Sequence, residues 1–401
     1  MPSKFDFPIT YLNSNDGSSI LAFGATDSIV LNSSNSLEEL SEFIKLYSTS
    51  YLFGSLNYNV KNEIEDLTSS NRDETEFPQV IFYVPKCVVK IDHENFQFLQ
   101  GDKNAENFEF LNYFLEEETD RNFHNHKIAW KNRTQKEKYL QKVRQIKEYI
   151  RHGEVYEMNY CQEFYADDVV IDYPLDFYFK LNEITKAPFS AYFQFAEHHV
   201  FCGSPERFLK KEGDKLFSQP IKGTAPRNKD LILDEQLKYE LKNNPKERAE
   251  NIMIVDLVRN DLSKVAKINS VKVDELCEIY SFETVHQMIS SISCDIKDFV
   301  SFTDIIKASF PMGSMTGAPK LRAMELIDEI EDFSRGIYSG TIGYISPNGD
   351  FDFNVVIRSM IYNSRKNYVS CPVGGAITLD SDPEQEFQEC QTKIARILDL
   401  K

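Results

Sequence analysis

The stretch Tyr344-Ile345-Ser346-Pro347-Asn348-Gly349-Asp350-Phe351-Asp352-Phe353-Asn354-Val355-Val356-Ile357-Arg358 carries the clearest signal for the fold. Pro347-Asn348-Gly349 is turn chemistry: Pro presets one backbone dihedral, and Asn-Gly accepts positive φ. The run led by Tyr344 reads as one strand and Asp352–Tyr362 as a second, within a meander from Ile337 to Thr378. Downstream, Asp382-Pro383 opens a last helix that runs to the C-terminus. Upstream, a helix begins at Pro319 and runs through Lys320 to Ile330. Another starts near Pro245 and spans Ala249 to Val258, with Pro suited to its first turn. Thr134 and Glu137 form a capping box, followed by Leu140, Val143, Ile146 and Ile150 at helical spacing. Gly153 is placed to stop that helix in a left-handed conformation. Val155 to Ala166 alternates as a strand does, with Tyr156, Met158, Tyr160 and Phe164 on one side. Strands are expected also over Val200–Lys210 and Lys215–Gln219, and Gln79–Val84 reads as a buried one. Long strands joined by short turns and interleaved with helices make this an α+β chain.

The 401 residues can bury a large core, and 41% hydrophobic with 27% charged residues is ordinary for a globular protein. Thirty Phe and twenty Tyr against one Trp, Trp130, favour packed sheets. The formal net charge of -18, with no run of Lys or Arg, argues against nucleic acid and against anionic membrane surfaces. An anionic substrate would need local cations or a metal to overcome that field. The seven cysteines are scattered and form no C-x-x-C pair, so neither a zinc ribbon nor a redox motif is indicated. They read as reduced structural thiols of a cytoplasmic protein. Neither a signal peptide nor a run of about 18 apolar residues is evident. The acidic stretch Gly101–Lys127, including Glu116, Glu117 and Glu118, reads as a connector with one helical segment. It divides a smaller N-terminal region, 1–125, from a larger one, 126–401.

Several residues could carry chemistry, each with a plainer alternative. Glu386, Glu389 and Lys393 share one face of the last helix, where the acids either complement the helix dipole or hold a hard cation. Glu250 has apolar neighbours at Met253, Ile254 and Leu257, so it must be paired, protonated or metal-bound. Two acids on separate helices would suit magnesium, which accepts few protein ligands. Gly313-Ser314-Met315-Thr316-Gly317-Ala318-Pro319-Lys320 runs a small-residue turn into a helix, an ordinary cap or a carboxylate site. Arg358, inside a mostly apolar strand, needs a partner, and a bidentate carboxylate is its natural one. Lys222, in Pro220-Ile221-Lys222-Gly223-Thr224-Ala225-Pro226-Arg227, is either a solvated charge or a nucleophile. The second role requires its pKa to fall by about three units from about 10.4. His286 is a satisfied core histidine or a substrate contact.

Taken together these segments resemble the chorismate-utilising enzymes, over about Lys127 to the C-terminus. The motifs stand in family order: Ser204-Pro205-Glu206-Arg207-Phe208, the Lys222 motif, Glu250 to Asp261, Glu283 to Ser290, and Met312 to Pro319. Arg335-Gly336-Ile337-Tyr338-Ser339-Gly340, Val356-Ile357-Arg358-Ser359 and the Glu386–Glu389 helix follow. The resemblance implies antiparallel sheets packed as a sandwich with helices outside, and a magnesium ion (Mg2+) held by Glu250 and Glu389 with Glu386 in support. It implies that Arg358, Tyr338 and a Gly374-Gly375-Ala376 turn hold the enolpyruvyl carboxylate. Thr316 and His286 would line the ring site, and Glu206 would protonate the departing 4-hydroxyl. Lys222 resembles the members that form 4-amino-4-deoxychorismate, where Lys attacks the ring at C2 before ammonia enters at C4. Anthranilate- and isochorismate-forming members usually carry Ala there. At position 157, isochorismate and salicylate synthases carry a water-activating Lys and amino-transferring members usually Gln; here it is Glu157. Ala376 stands where many relatives have a third Gly, and no Leu-Leu-Glu-Ser segment of tryptophan-inhibited members occurs. The implied substrates are chorismate and ammonia. No cysteine lies in a Gly-x-Cys-x-Gly turn, so the implied ammonia source is a separate glutamine amidotransferase subunit. The alternatives are an anthranilate-forming enzyme and a catalytically silent chorismate-binding protein.

Overall fold

A computed structural model describes residues 7–32, 34–93, 95–116 and 128–400. Among these residues two large antiparallel sheets form, of eleven and ten strands. The connector's helix is present as Ala105–Glu116. Glu117, Glu118 and the boundary near residue 125 lie outside the described residues.

Strands from the first hundred residues enter both sheets. Ile9–Asn13 pairs with Phe189–Phe195, and Leu52–Leu56 pairs with Thr341–Ile345. Phe82, Phe193, Val200, Phe353 and Ile361 belong to one continuous core drawn from both sheets. Burying each such side chain favours folding by about 1.5–3 kcal/mol. A second core lies under helices Lys136–Arg151, Lys320–Ile330 and Pro383–Leu398, around Tyr139, Val143, Ile327 and Ile394. Helices Pro245–Val265 and Phe302–Ser309 contribute Ile254, Val258, Ile305 and Ile306 to the first.

Local signals place the helix starts that matter for function. The side chain of Asn244 accepts from the backbone N–H of Lys246 and Glu247, and Asp382 does the same for Glu384 and Gln385. A Pro follows each cap. The helix from Pro245 continues to Val265, well past the expected Val258. The capping box expected at Thr134 does not form: Gln135 is the cap residue, and the Thr134 hydroxyl donates to Asp332 Oδ2 at 2.9 Å. Gly153 does end that helix with φ +78.

Two expected strands are each broken, and the breaks build the site. Val200–Lys210 divides into His198–Ser204 in the larger sheet and Arg207–Glu212 in the smaller, with Pro205-Glu206 between. Pro205 has no N–H to continue a ladder. Asp352–Tyr362 likewise divides into Phe351–Asn354 and Ser359–Asn363. Arg358 therefore sits in a sheet-to-sheet crossing rather than in a strand. The two crossings run side by side, joined by Val355 N–H to Glu206 O at 3.0 Å and Gly203 N–H to Arg358 O at 3.2 Å. The expected Gly374-Gly375-Ala376 turn is also corrected. These residues lie inside strand Tyr368–Ile377, opposite Cys161, Tyr160 and Asn159. A Cβ on Gly374 would stand 2.4 Å from Cys161 Sγ, so only Gly allows this close approach.

Candidate active site

Glu206 is the first residue the crossings position. It is 4% exposed, and the Ser314 hydroxyl donates to its Oε1 at 2.6 Å. Burial pushes its pKa up to about 7, against the opposing pull of Ser314 and Lys222. A carboxyl raised this far keeps a share of its population protonated near neutrality, which a proton donor needs.

Lys222 lies on strand Ile221–Pro226, where the pairing register slips between Ile221 and Thr224. The slip needs the left-handed φ of +91 at Gly223. The ammonium donates to Glu157 Oε1 at 2.9 Å, and the two side chains are only 10% and 2% exposed. Burial lowers the Lys222 pKa, but Glu157, Glu250 and Glu206 outweigh it and leave it raised. The resting nucleophile candidate is thus an ammonium, opposite to the depression its role requires.

Glu250 and Glu386 approach from separate helices. Lys246 Nζ stands 3.8 Å from Glu250 Oε1 and 3.5 Å from Glu386 Oε1. The Oε1 atom of Glu250 is buried without a hydrogen bond, and burial moves its pKa up to about 7. Ser381 donates to Glu386 Oε1 at 2.7 Å. Glu389 accepts from Lys393 at 2.8 Å; burial raises its pKa, but Lys393 and Lys246 bring it below the usual range. Among the described residues no three His, Cys, Asp or Glu side chains close into a metal cage. An orphaned buried carboxylate oxygen and an ammonium between two acids do fit a place for a hard cation with open positions. Glu250, Glu386 and Glu389 are the acids that would hold it.

The Arg358 guanidinium has no hydrogen-bond or ion-pair partner among the described residues, and burial depresses its pKa, with Tyr338 and Glu389 opposing. Its φ of +50 is a left-handed conformation that costs an Arg about 1–2 kcal/mol. Tyr338 is buried, its hydroxyl 3.9 Å from Cys161 Sγ. Beneath lies a buried strut: Arg335 pairs with Glu331 at 2.6 Å and donates to Met315 O at 2.7 Å and Asn159 O at 3.0 Å. Lys393 Nζ donates to Gly374 O at 3.0 Å, joining the glycine strand to the acidic helix.

Two expected ring-site residues are otherwise engaged. The Thr316 hydroxyl donates within its own turn, to Met312 O at 3.2 Å and Gly313 O at 3.3 Å. Both ring nitrogens of His286 are occupied, by Ser281 at 2.8 Å and Asp234 at 3.1 Å. The helix after Gly313–Met315 begins at Lys320, whose ammonium pairs with Asp261 and leaves no open anion site at that side chain. The sequence reading missed Ser314 as the partner of Glu206, and missed Lys246. The second was legible as a Lys one helical turn before Glu250.

The family described as chorismate binding enzyme matches residues 8–399. The chain belongs to this family. Aminodeoxychorismate synthase component 1 of Escherichia coli (strain K12) is 39% identical over 269 residues, 67% of this chain and 58% of that protein. The chain thus spans under three fifths of that relative's length. An anthranilate synthase component I-like protein of Synechocystis sp. (strain ATCC 27184 / PCC 6803 / Kazusa) is 34% identical over 348 residues, 86% of this chain and 71% of that one. Among solved structures, anthranilate synthase component I from Streptococcus pneumoniae TIGR4 superposes with a TM-score of 0.80 at 26% identity. That match covers 94% of this chain and 92% of the other. The expected α+β fold of the chorismate-utilising enzymes is therefore the fold observed. No helix among the described residues is long and apolar enough to cross a membrane.

Proposed function

We propose that this chain is the chorismate-converting subunit of an aminodeoxychorismate synthase, taking chorismate and ammonia to 4-amino-4-deoxychorismate. The observation that carries the reading is the buried Lys222 ammonium, 2.9 Å from Glu157 and under the electrostatic influence of Glu206 and Glu250. Before attack, Lys222 passes its proton to Glu157. The freed amine bonds to ring C2, both conjugated ring double bonds shift toward C4, and the 4-hydroxyl takes the Glu206 proton and leaves as water. Ammonia then bonds to C4 as a substituent ammonium that leaves with the product, and the returning double bonds expel the Lys222 nitrogen from C2 as a neutral amine, which takes its proton back from Glu157. Arg358, without a carboxylate of its own, binds the enolpyruvyl carboxylate. Glu250, Glu386 and Glu389 would hold magnesium, which would supply a counter-charge for the other substrate carboxylate. A separate glutaminase subunit supplies the ammonia, in keeping with the "component 1" name of the Escherichia coli relative.

The Synechocystis relative favours a second reading, anthranilate formation, in which ammonia enters C2 and pyruvate is lost. Product analysis separates the two. With chorismate, magnesium and an ammonium salt, an aminated product that keeps its enolpyruvyl chain, and a Lys222→Ala variant that fails to make it, support the first reading. Anthranilate with pyruvate overturns it, and so does full amination by Lys222→Ala.

A further inference from the structure

Glu206 faces a second space as well as the Lys222 site. A cavity of about 20 Å3 adjoins it, walled also by Ser218, Asp261, Ser309 and Ser314, and Lys222, Glu157 and Glu250 take no part in the wall. That is room for one water molecule among polar partners. Asp261 is buried, and its carboxylate pairs with Lys320 on one oxygen and with Lys264 on the other at 3.2 Å. Lys320 is nearly enclosed, whereas Lys264 is 50% exposed. A polar path thus leads from solvent at Lys264, through Asp261, into the cavity behind the proton donor. Asp261 closes the Glu250-to-Asp261 motif and Lys320 ends the small-residue turn, yet the chemistry proposed above uses neither.

We propose that Glu206 is reloaded between turnovers from this cavity, with Asp261 as the relay residue and a bound water as the link. The inference rests on Glu206 being the proton donor to the leaving hydroxyl. After that hydroxyl leaves as water, Glu206 is a carboxylate in a site still filled by the ring. One proton enters from solvent at Lys264, crosses the Asp261 carboxylate and the cavity water, and ends on Glu206. Asp261 and the water regain their starting states, and no other bond changes. The buried Lys320 holds Asp261 in place. Burial depresses the Lys320 pKa, so its proton is held less firmly than that of a surface lysine.

The test is rapid-quench kinetics on the full chain with chorismate, magnesium and ammonium. In Asp261→Asn, which keeps the shape but cannot carry a proton, the first turnover should run at the rate of the unsubstituted chain. Later turnovers should be at least tenfold slower, giving a burst of one product per site and a solvent deuterium effect confined to the slow phase. Ser218→Thr, which adds a methyl group to the cavity wall and leaves the Asp261 pairs intact, should give the same burst if Asp261→Asn does not fold. Steady-state rates unchanged in the folded variants, or a first turnover slowed as much as the later ones, overturn the relay. Glu206→Gln separates the two ideas: it should slow the first turnover itself. A normal first turnover there would remove Glu206 as donor, whatever Asp261 does.

Discussion

Substituting Gln for Glu206 makes a quantitative prediction for stability as well as for rate. The carboxyl is buried and its pKa stands at about 7 against an ordinary 4.5. Because the folded value is the higher one, the folded state is favoured below pH 4.5, and that advantage is lost as pH rises toward 7. That rise in pKa corresponds to about 3 kcal/mol when fully expressed. Between pH 5 and pH 8 the part that changes is about 2–3 kcal/mol. Gln has the shape of the protonated acid and still accepts from Ser314, but it does not ionise. Glu206→Gln should therefore match the unsubstituted chain at pH 5 to within about 1 kcal/mol and exceed it by about 3 kcal/mol at pH 8. Urea unfolding of both proteins at half-unit pH steps measures the difference. The turnover rate should fall by about 10²–10⁴ at the same time. A stability difference that does not change with pH would refute the buried, raised carboxyl and with it the argument for Glu206 as donor.

Further expectations concern Arg358 and the acids. Arg358→Gly releases a left-handed Arg at a position that Gly occupies without strain, so stability should not fall. Chorismate affinity should drop by a factor of about 30 or more, since a charge-assisted hydrogen-bonded pair is lost. Calorimetric titration beside a thermal melt reads both, and undiminished binding would exclude Arg358 as the carboxylate partner. Glu250→Gln should weaken magnesium binding by about tenfold or more, and Lys246→Met should tighten it, because the Lys246 ammonium stands between Glu250 and Glu386. Isothermal titration without substrate measures each. Equal affinities across the three proteins would remove Glu250 from the metal site.

The sequence by itself determined those features that depend on neighbours along the chain. Asn244 and Asp382, each followed by Pro, announce the two helices that bear Glu250, Glu386 and Glu389, because a cap and a fixed φ act within one turn. Gly153 is legible as a helix stop for the same reason. The ordered motifs single out Glu206, Lys222 and Glu250, which folding brings within electrostatic reach of one another. What only the tertiary structure decided are partnerships across distance. Val200–Lys210 and Asp352–Tyr362 look like continuous strands locally, and only the two sheets on offer break them and set Glu206 and Arg358 at adjacent crossings. Thr134 prefers Asp332 to its own helix, and His286 is claimed by Asp234, partners that no spacing rule reveals. Lys222 meets Glu157 across 65 residues, and the charge Lys222 holds follows from burial and from the opposing charges gathered by folding. A pKa is a property of surroundings, and surroundings are what the chain acquires last.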